Sequence, residues 1–334
     1  MKNMKKNGII LGLITLVVLY FVLKDNFAAI TRELFNSNPL WIIVSFLIII
    51  LYCFFQSLAI HEIIKNYEPK YKYKKSLQLS LITNFFNGIT PFSTGGQPMQ
   101  IYLLKKDGIR VTNGTNIIIQ NFILYQLALV IYGIISLFLN YQFHIFENLP
   151  VLGGIILIGF AINTLIMVGL FIISFGKRLN KFLVKIGLKV LTKFKLVNNT
   201  DKLHDEWNER CETFHSGAVS LIKNYKVCIK GFIYQFLGLT CLYILPLFVF
   251  YALGSKNISA IEAITSSAYV MIIGSFVPIP GASGGIEYGF LRFFGTFIKD
   301  SVLSAGLLLW RFISYYLLMI VGGIVLSFRK DMDK

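Results

Sequence analysis

The chain has 334 residues, of which 55% are hydrophobic, 15% aromatic and only 14% charged. The apolar share lies above that of soluble domains and the charged share near half of theirs, which excludes an ordinary water-soluble fold. A net charge of +16 would suggest nucleic-acid binding in a soluble chain, but here the basic residues flank apolar blocks, and no nucleic-acid partner is expected.

The first apolar block, residues 8–24, follows Lys2, Lys5 and Lys6. It is short enough that a cleaved signal peptide is the alternative to a span, but no A-x-A site follows it. Residues 39–60 form a second block long enough to cross a hydrocarbon core. Next comes Ser76 to Leu104, 29 residues that would measure about 43 Å as one straight helix against a core of about 30 Å. Pro91 and the Gly95-Gly96 pair interrupt its middle. Lys65, Lys70, Lys72, Lys74 and Lys75 precede it and Lys105, Lys106 and Arg110 follow it. Basic flanks on both sides predict a hairpin that enters and leaves from the cytoplasm.

Residues 114–139 and 151–174 are the next two spans. They lead into a basic stretch, 176–228, in which Lys177, Lys181, Lys185, Lys189 and Lys193 recur every fourth residue. That spacing makes one helical ridge, with Phe182, Ile186, Val190 and Phe194 as apolar area. It reads as a helix on the anionic cytoplasmic surface, with a solvated connector as the alternative. A fifth span follows at 229–253, then Ala260 to Ile298, too long for one span and broken by Pro278, Pro280, Gly281, Gly284 and Gly285. The last span, 302–327, carries Arg311.

The expected fold is an all-α polytopic membrane protein. It has about six full spans plus two Pro/Gly-broken re-entrant hairpins, or eight helices if each hairpin counts once. One transmembrane domain covers 1–334, with a first repeat unit at 39–139 and a second at 229–327. With both termini cytoplasmic the spans alternate if the second hairpin enters from outside. Only Lys24, Arg32, Lys256, Arg292 and Lys299 then fall on the outer side. The breaks read Pro91-Phe92-Ser93-Thr94-Gly95-Gly96 and Pro280-Gly281-Ala282-Ser283-Gly284-Gly285, a shared P-x-x-[ST]-G-G. Each sits between two spans, with opposite membrane orientation, as in an inverted repeat.

Unpaired backbone groups in hydrocarbon cost several kcal/mol each, so broken helices mark a lined cavity. The Gly-Gly pairs are expected to permit close approach and positive φ, and the helix N-termini after them, at Gln97 and Ile286, to offer N–H donors to an anion. Asn84, Asn87, Thr90, Thr94, Gln97 and Gln100 in the first unit and Ser275, Ser283 and Glu287 in the second add polar groups at that depth. Tight packing turns without a ligand are the alternative. Glu287 and Arg311 are the candidate charges. Arg311 either pairs with Glu287 or attracts a headgroup phosphate, and Glu287 serves a cationic headgroup or proton coupling. Gln120, Asn121, Gln126, Asn163 and Gln235 either line the same cavity or bond between helices.

No P-loop, dinucleotide fingerprint, zinc signature or nucleophile elbow is present, so neither ATP hydrolysis nor nucleophilic hydrolysis has an anchor. Cys53, Cys211, Cys228 and Cys241, and His61, His144, His204 and His215, show no ligand spacing. No metal, cofactor or disulfide framework is expected.

The run Thr90-Pro91-Phe92-Ser93-Thr94-Gly95-Gly96-Gln97-Pro98, the following Leu103-Leu104-Lys105-Lys106-Asp107-Gly108, the run Pro278 to Glu287, and Arg311 together resemble the flippase-like membrane family that includes the transmembrane region of MprF-type lysylphosphatidylglycerol synthases. The resemblance implies movement of aminoacylated phosphatidylglycerol, or another anionic-lipid derivative, from inner to outer leaflet of the cell membrane, supporting resistance to cationic antimicrobial peptides. Full-length MprF-type enzymes also carry a soluble domain that transfers lysine from lysyl-tRNA to phosphatidylglycerol. These 334 residues show none, so lysyltransferase activity is expected only through a separately encoded synthase. The resemblance also leads one to expect Arg where Gln100 stands. A small-solute secondary transporter or a membrane scaffold is the remaining alternative, and a homo-oligomer is left open.

Overall fold

The computed structural model describes residues 27–146, 150–175, 212–213, 215–298 and 300–329. The apolar block at 8–24 and nearly all of the basic ridge after 176 lie outside them.

The described helices are α1 (Phe27–Phe35), α2 (Pro39–Tyr67), α3 (Tyr73–Gly88), α4 (Gly96–Lys106), α5 (Val111–Phe143), α6 (Pro150–Phe175), α7 (Tyr225–Ala252), α8 (Ala260–Gly274) and α9 (Gly285–Phe294). The last, α10, starts at Asp300, passes through a π-helical turn at Phe312–Tyr316 and ends at Ser327. Four of these, α2, α5, α7 and the stretch Ser301–Ser327 of α10, are long and apolar enough to cross a membrane.

Local chemistry sets the helix ends. Asn38 caps α2, its Oδ1 accepting the Leu40 N–H at 2.9 Å, with Pro39 in the first turn where its missing N–H costs nothing. Ser259 and Glu262 form a reciprocal capping box at the start of α8. At the two interrupted segments the chain turns back on itself, so that α3 packs on α4 and α8 on α9.

The two halves interlock. Among the described residues α2 and α7 make the most extensive helix pairing, the C-terminal part of α10 lies along α3, and α5 lies along α8. The α10–α3 crossing is close because glycines face it. A Cβ on Gly322 would overlap the Leu81 carbonyl oxygen, and one on Gly88 would press on Met319. One core cluster joins Phe250, Phe290, Phe294 and Trp310 of the second half. Another joins Ile60, Leu79, Ile82, Leu104 and Ile117 of the first. Ile43, Ile50, Ile158 and Leu165 point outward and are exposed. Apolar area of that extent suits a lipid surround, since water-facing monomers rarely show it.

A buried ionic hub ties the end of the chain to the first hairpin. Asp107, in the turn after α4, accepts from Arg329 Nη2 at 2.7 Å and Lys75 Nζ at 2.9 Å through Oδ1, and from the Tyr71 hydroxyl at 2.6 Å through Oδ2. Burial, then the bond to Asp107 and its charge, push the Tyr71 hydroxyl well above its ordinary value, with Arg329 pulling weakly the other way.

Candidate functional site: a cavity between the two helix breaks

The two breaks touch each other, and their backbones follow the same path from Thr90 to Ser93 and from Ile279 to Ala282, then part at Thr94 and Ser283. In each, the residues one and two after the proline hold positive φ: Phe92 (52°) and Ser93 (54°) after Pro91, Gly281 (65°) and Ala282 (50°) after Pro280. Glycine adopts this region freely, whereas Phe92, Ser93 and Ala282 each carry about 1–2 kcal/mol of strain. The expectation for the first glycine pair is corrected accordingly. Gly95 has φ of −74° and Gly96 is helical. What they supply is room, since a Cβ would run into Thr90 at Gly95 and into Asn87 at Gly96.

Those close approaches also seal the helix ends. The Gly95 N–H donates to Thr90 Oγ1 at 2.9 Å and the Gly96 N–H to Asn87 Oδ1 at 3.0 Å. In the second break the Gly284 N–H donates to Glu287 Oε2 at 2.6 Å. Side chains of the same hairpin therefore take up the N–H groups of Gly95, Gly96 and Gly284, just ahead of the Gln97 and Ile286 positions.

Glu287 and Arg311 pair, with Arg311 Nε donating to Glu287 Oε1 at 2.7 Å and both side chains buried. Arg311 Nη2 also donates to the Gly281 carbonyl at 2.9 Å, and the guanidinium lies 4.7 Å from the centre of the Tyr315 ring. Tyr315 in turn donates its hydroxyl to the Gly88 carbonyl at 2.8 Å, and its ring fills the space a Cβ on Gly281 would need. One residue of α10 thus holds a carbonyl freed at the first break and packs against the second.

Beside this junction lies a cavity of about 630 Å³, in the range that holds a small ligand or headgroup. Asn84, Asn87, Thr94, Gln97 and Gln100 of the first hairpin line it, as do Gly281 of the second break and Arg311. Asn121 and Gln126 of α5, Asn163 of α6 and Gln235 of α7 complete its polar wall. Much of that wall is internally bonded. Gln56 donates to Gln235 at 3.1 Å, Gln235 to Asn121 at 2.8 Å, and Gln126 to the Asn163 carbonyl at 3.2 Å. Gln120 is elsewhere, donating to the Tyr67 hydroxyl and the Gly217 carbonyl. Among the described residues no group of three or more His, Cys, Asp or Glu gathers as a metal site would require.

A family model described as Lysylphosphatidylglycerol synthase TM region matches residues 8–322. The chain belongs to this family. It is also 23% identical over 337 aligned positions to a UPF0104 membrane protein of Archaeoglobus fulgidus, with 95% of each chain covered. Membership of the lysylphosphatidylglycerol synthase TM region family, together with the long apolar helices, makes this a membrane protein and supports a lipid-related function.

In this family member Pro91, Gly95, Gly96, Pro280, Ser283, Gly284, Gly285 and Glu287 shape the cavity's supports without being among the residues that line it. Sequence reasoning missed Tyr315. Its position four residues after Arg311, on the same helix face, was the available signal. Phe92 and Ser93 also line the cavity, and nothing in their residue type marks them for positive φ.

Proposed function

We propose that this chain moves an anionic or aminoacylated phospholipid, such as lysyl-phosphatidylglycerol, between the leaflets of the cell membrane, and so supports resistance to cationic antimicrobial peptides. The headgroup passes along the amide-lined cavity while the acyl chains stay in lipid. The observation that carries this reading is a buried guanidinium, Arg311, on the wall of a cavity lined in part by amides and built where two broken helices meet. Arginine suits a phosphodiester, and a buried charge in a membrane protein is costly enough to imply use. The family's description, with lipid chemistry in its name, supports the same direction.

We further propose that residues 39–139 and 229–327 are inverted repeats with both termini cytoplasmic and the breaks near mid-membrane. The matching backbone path at Phe92-Ser93 and Gly281-Ala282 supports the relation between them.

The test is a leaflet-accessibility assay in proteoliposomes with a panel of headgroups that includes phosphatidylglycerol and lysyl-phosphatidylglycerol. Protein-dependent movement of an anionic or lysylated lipid, lost in Arg311→Met, is the expected result. Equal rates with and without protein for every lipid would overturn it. The word synthase in the family's description warrants one more assay, in which the purified chain with lysyl-tRNA and phosphatidylglycerol is expected to yield no lysylated lipid.

A further inference from the structure

Resting on the reading of the cavity as a headgroup path, and narrowing its anionic or aminoacylated cargo to the anionic arm, we infer that it selects a single phosphate ester bearing an uncharged polyhydroxyl group, glycerol or a sugar, over an aminoacylated or other amine-bearing headgroup.

The first ground is charge. Among the described residues lining the cavity, Arg311 alone carries a formal charge. Its carboxylate partner Glu287 is not one of them, and both Glu287 oxygens are engaged, one by Arg311 and one by the Gly284 N–H. A lysyl ester brings two amino groups that are cationic near neutral pH. Beside that wall they find no carboxylate among the described lining residues, and the one charge it presents is a guanidinium of their own sign. A phosphodiester brings one negative charge, which the same guanidinium attracts. Arg311 is already oriented for it by the Gly281 carbonyl, the Glu287 carboxylate and the Tyr315 ring.

The second ground is the state of the amides. The Gln56–Gln235–Asn121 chain and the Gln126–Asn163 pair spend hydrogen bonds within the wall. Asn84, Gln97 and Gln100, all on the first hairpin, line the cavity and have no side-chain partner among the described residues. Gln100 is only 6% exposed, and it lies on the cavity lining. An amide offers both donors and an acceptor, as does each hydroxyl of a polyol. A lysyl ammonium only donates and a choline neither donates nor accepts, so neither group pairs with an amide's N–H and carbonyl together as a hydroxyl does.

Two readouts separate this inference from the translocation reading. In detergent, the full chain is melted with short-chain phosphatidylglycerol, phosphatidylinositol, phosphatidylmethanol, lysyl-phosphatidylglycerol and phosphatidylcholine. Phosphatidylglycerol and phosphatidylinositol are expected to stabilise it at concentrations at least about tenfold lower than the lysylated and choline lipids require. Gln100→Leu is expected to remove the advantage of phosphatidylglycerol over phosphatidylmethanol, which has the phosphate but no hydroxyl, while Arg311→Met weakens both. Stabilisation by lysyl-phosphatidylglycerol or phosphatidylcholine equal to that by phosphatidylglycerol would overturn the inference. So would an unchanged preference in Gln100→Leu.

In proteoliposomes, absence of movement of every lipid alongside the expected melting pattern would leave the headgroup inference standing and remove the translocation reading. Soluble glycerol 1-phosphate that competes with phosphatidylglycerol in the melting assay supports the inferred chemistry. If vesicles containing the protein also accumulate it, the chemistry stands and the cargo is a solute.

Discussion

Arg329 reaches back 222 positions to Asp107, its Nη2 2.7 Å from Oδ1, and both side chains are almost completely buried. Removing one member of a buried pair leaves the other charge uncompensated, at about 3–5 kcal/mol. Asp107→Asn is therefore expected to lower the melting temperature in detergent steeply. Lys75 is 43% exposed on its side of the same carboxylate, and Lys75→Ala should cost less than about 1 kcal/mol. Similar losses from the two variants would show that burial does not separate them.

The hub also makes a pH prediction. The Tyr71 hydroxyl has its pKa raised by burial and by Asp107, so the folded state holds it neutral at pH values where the unfolded chain ionises. Its stabilising contribution is complete below about pH 10, the unfolded value, and falls as pH climbs from there toward the folded value. Tyr71→Phe is expected to be less stable than the parent near neutral pH, by about 1.5–3 kcal/mol for a bond to a charged group. The gap should narrow above about pH 10. A gap that stays constant through that range would contradict the assignment.

Glu287 and Arg311 separate structure from function. Either Glu287→Gln or Arg311→Met should destabilise the fold by about 3–5 kcal/mol, while the double variant, with no lone charge, should recover most of that loss. Lipid movement is expected to stay lost in the double variant, because the guanidinium on the cavity wall is gone. Melting curves and leaflet accessibility on the same preparations read the two effects apart.

Gly281 and Gly284 both hold positive φ, 65° and 90°, and alanine at either should cost about 1–2 kcal/mol from the backbone alone. At Gly284 a Cβ meets open space, whereas at Gly281 it would overlap the Tyr315 ring. Gly281→Ala is expected to be the more damaging by melting temperature, and Tyr315→Ala in the same chain to relieve part of the excess.

The sequence showed the breaks clearly because proline and glycine act locally. The interruptions at Pro91 and Pro280 are where they were expected, and α2, α5, α7 and α10 span nearly the expected blocks. The Glu287–Arg311 pair was one of two roles for Arg311 that charge alone allowed, and the geometry shows that pair. What stayed hidden depends on distant partners. Nothing local distinguishes Asp107 from any other acid in a basic flank, yet Tyr71, Lys75 and Arg329 converge on it. Nor does composition reveal that Thr90 and Asn87 would cap the glycines. That requires the hairpin to close first.

The hydroxyl that holds the Gly88 carbonyl comes from Tyr315, 227 positions later. At about 5–20 residues per second, a ribosome needs roughly 11–45 s to make that stretch. For that interval the first hairpin lacks its latch and the part of the cavity wall that Arg311 and Tyr315 supply. The nascent chain must satisfy Asn84, Gln97 and Gln100 some other way until α10 arrives, so the halves are latched here only after Tyr315 has been made.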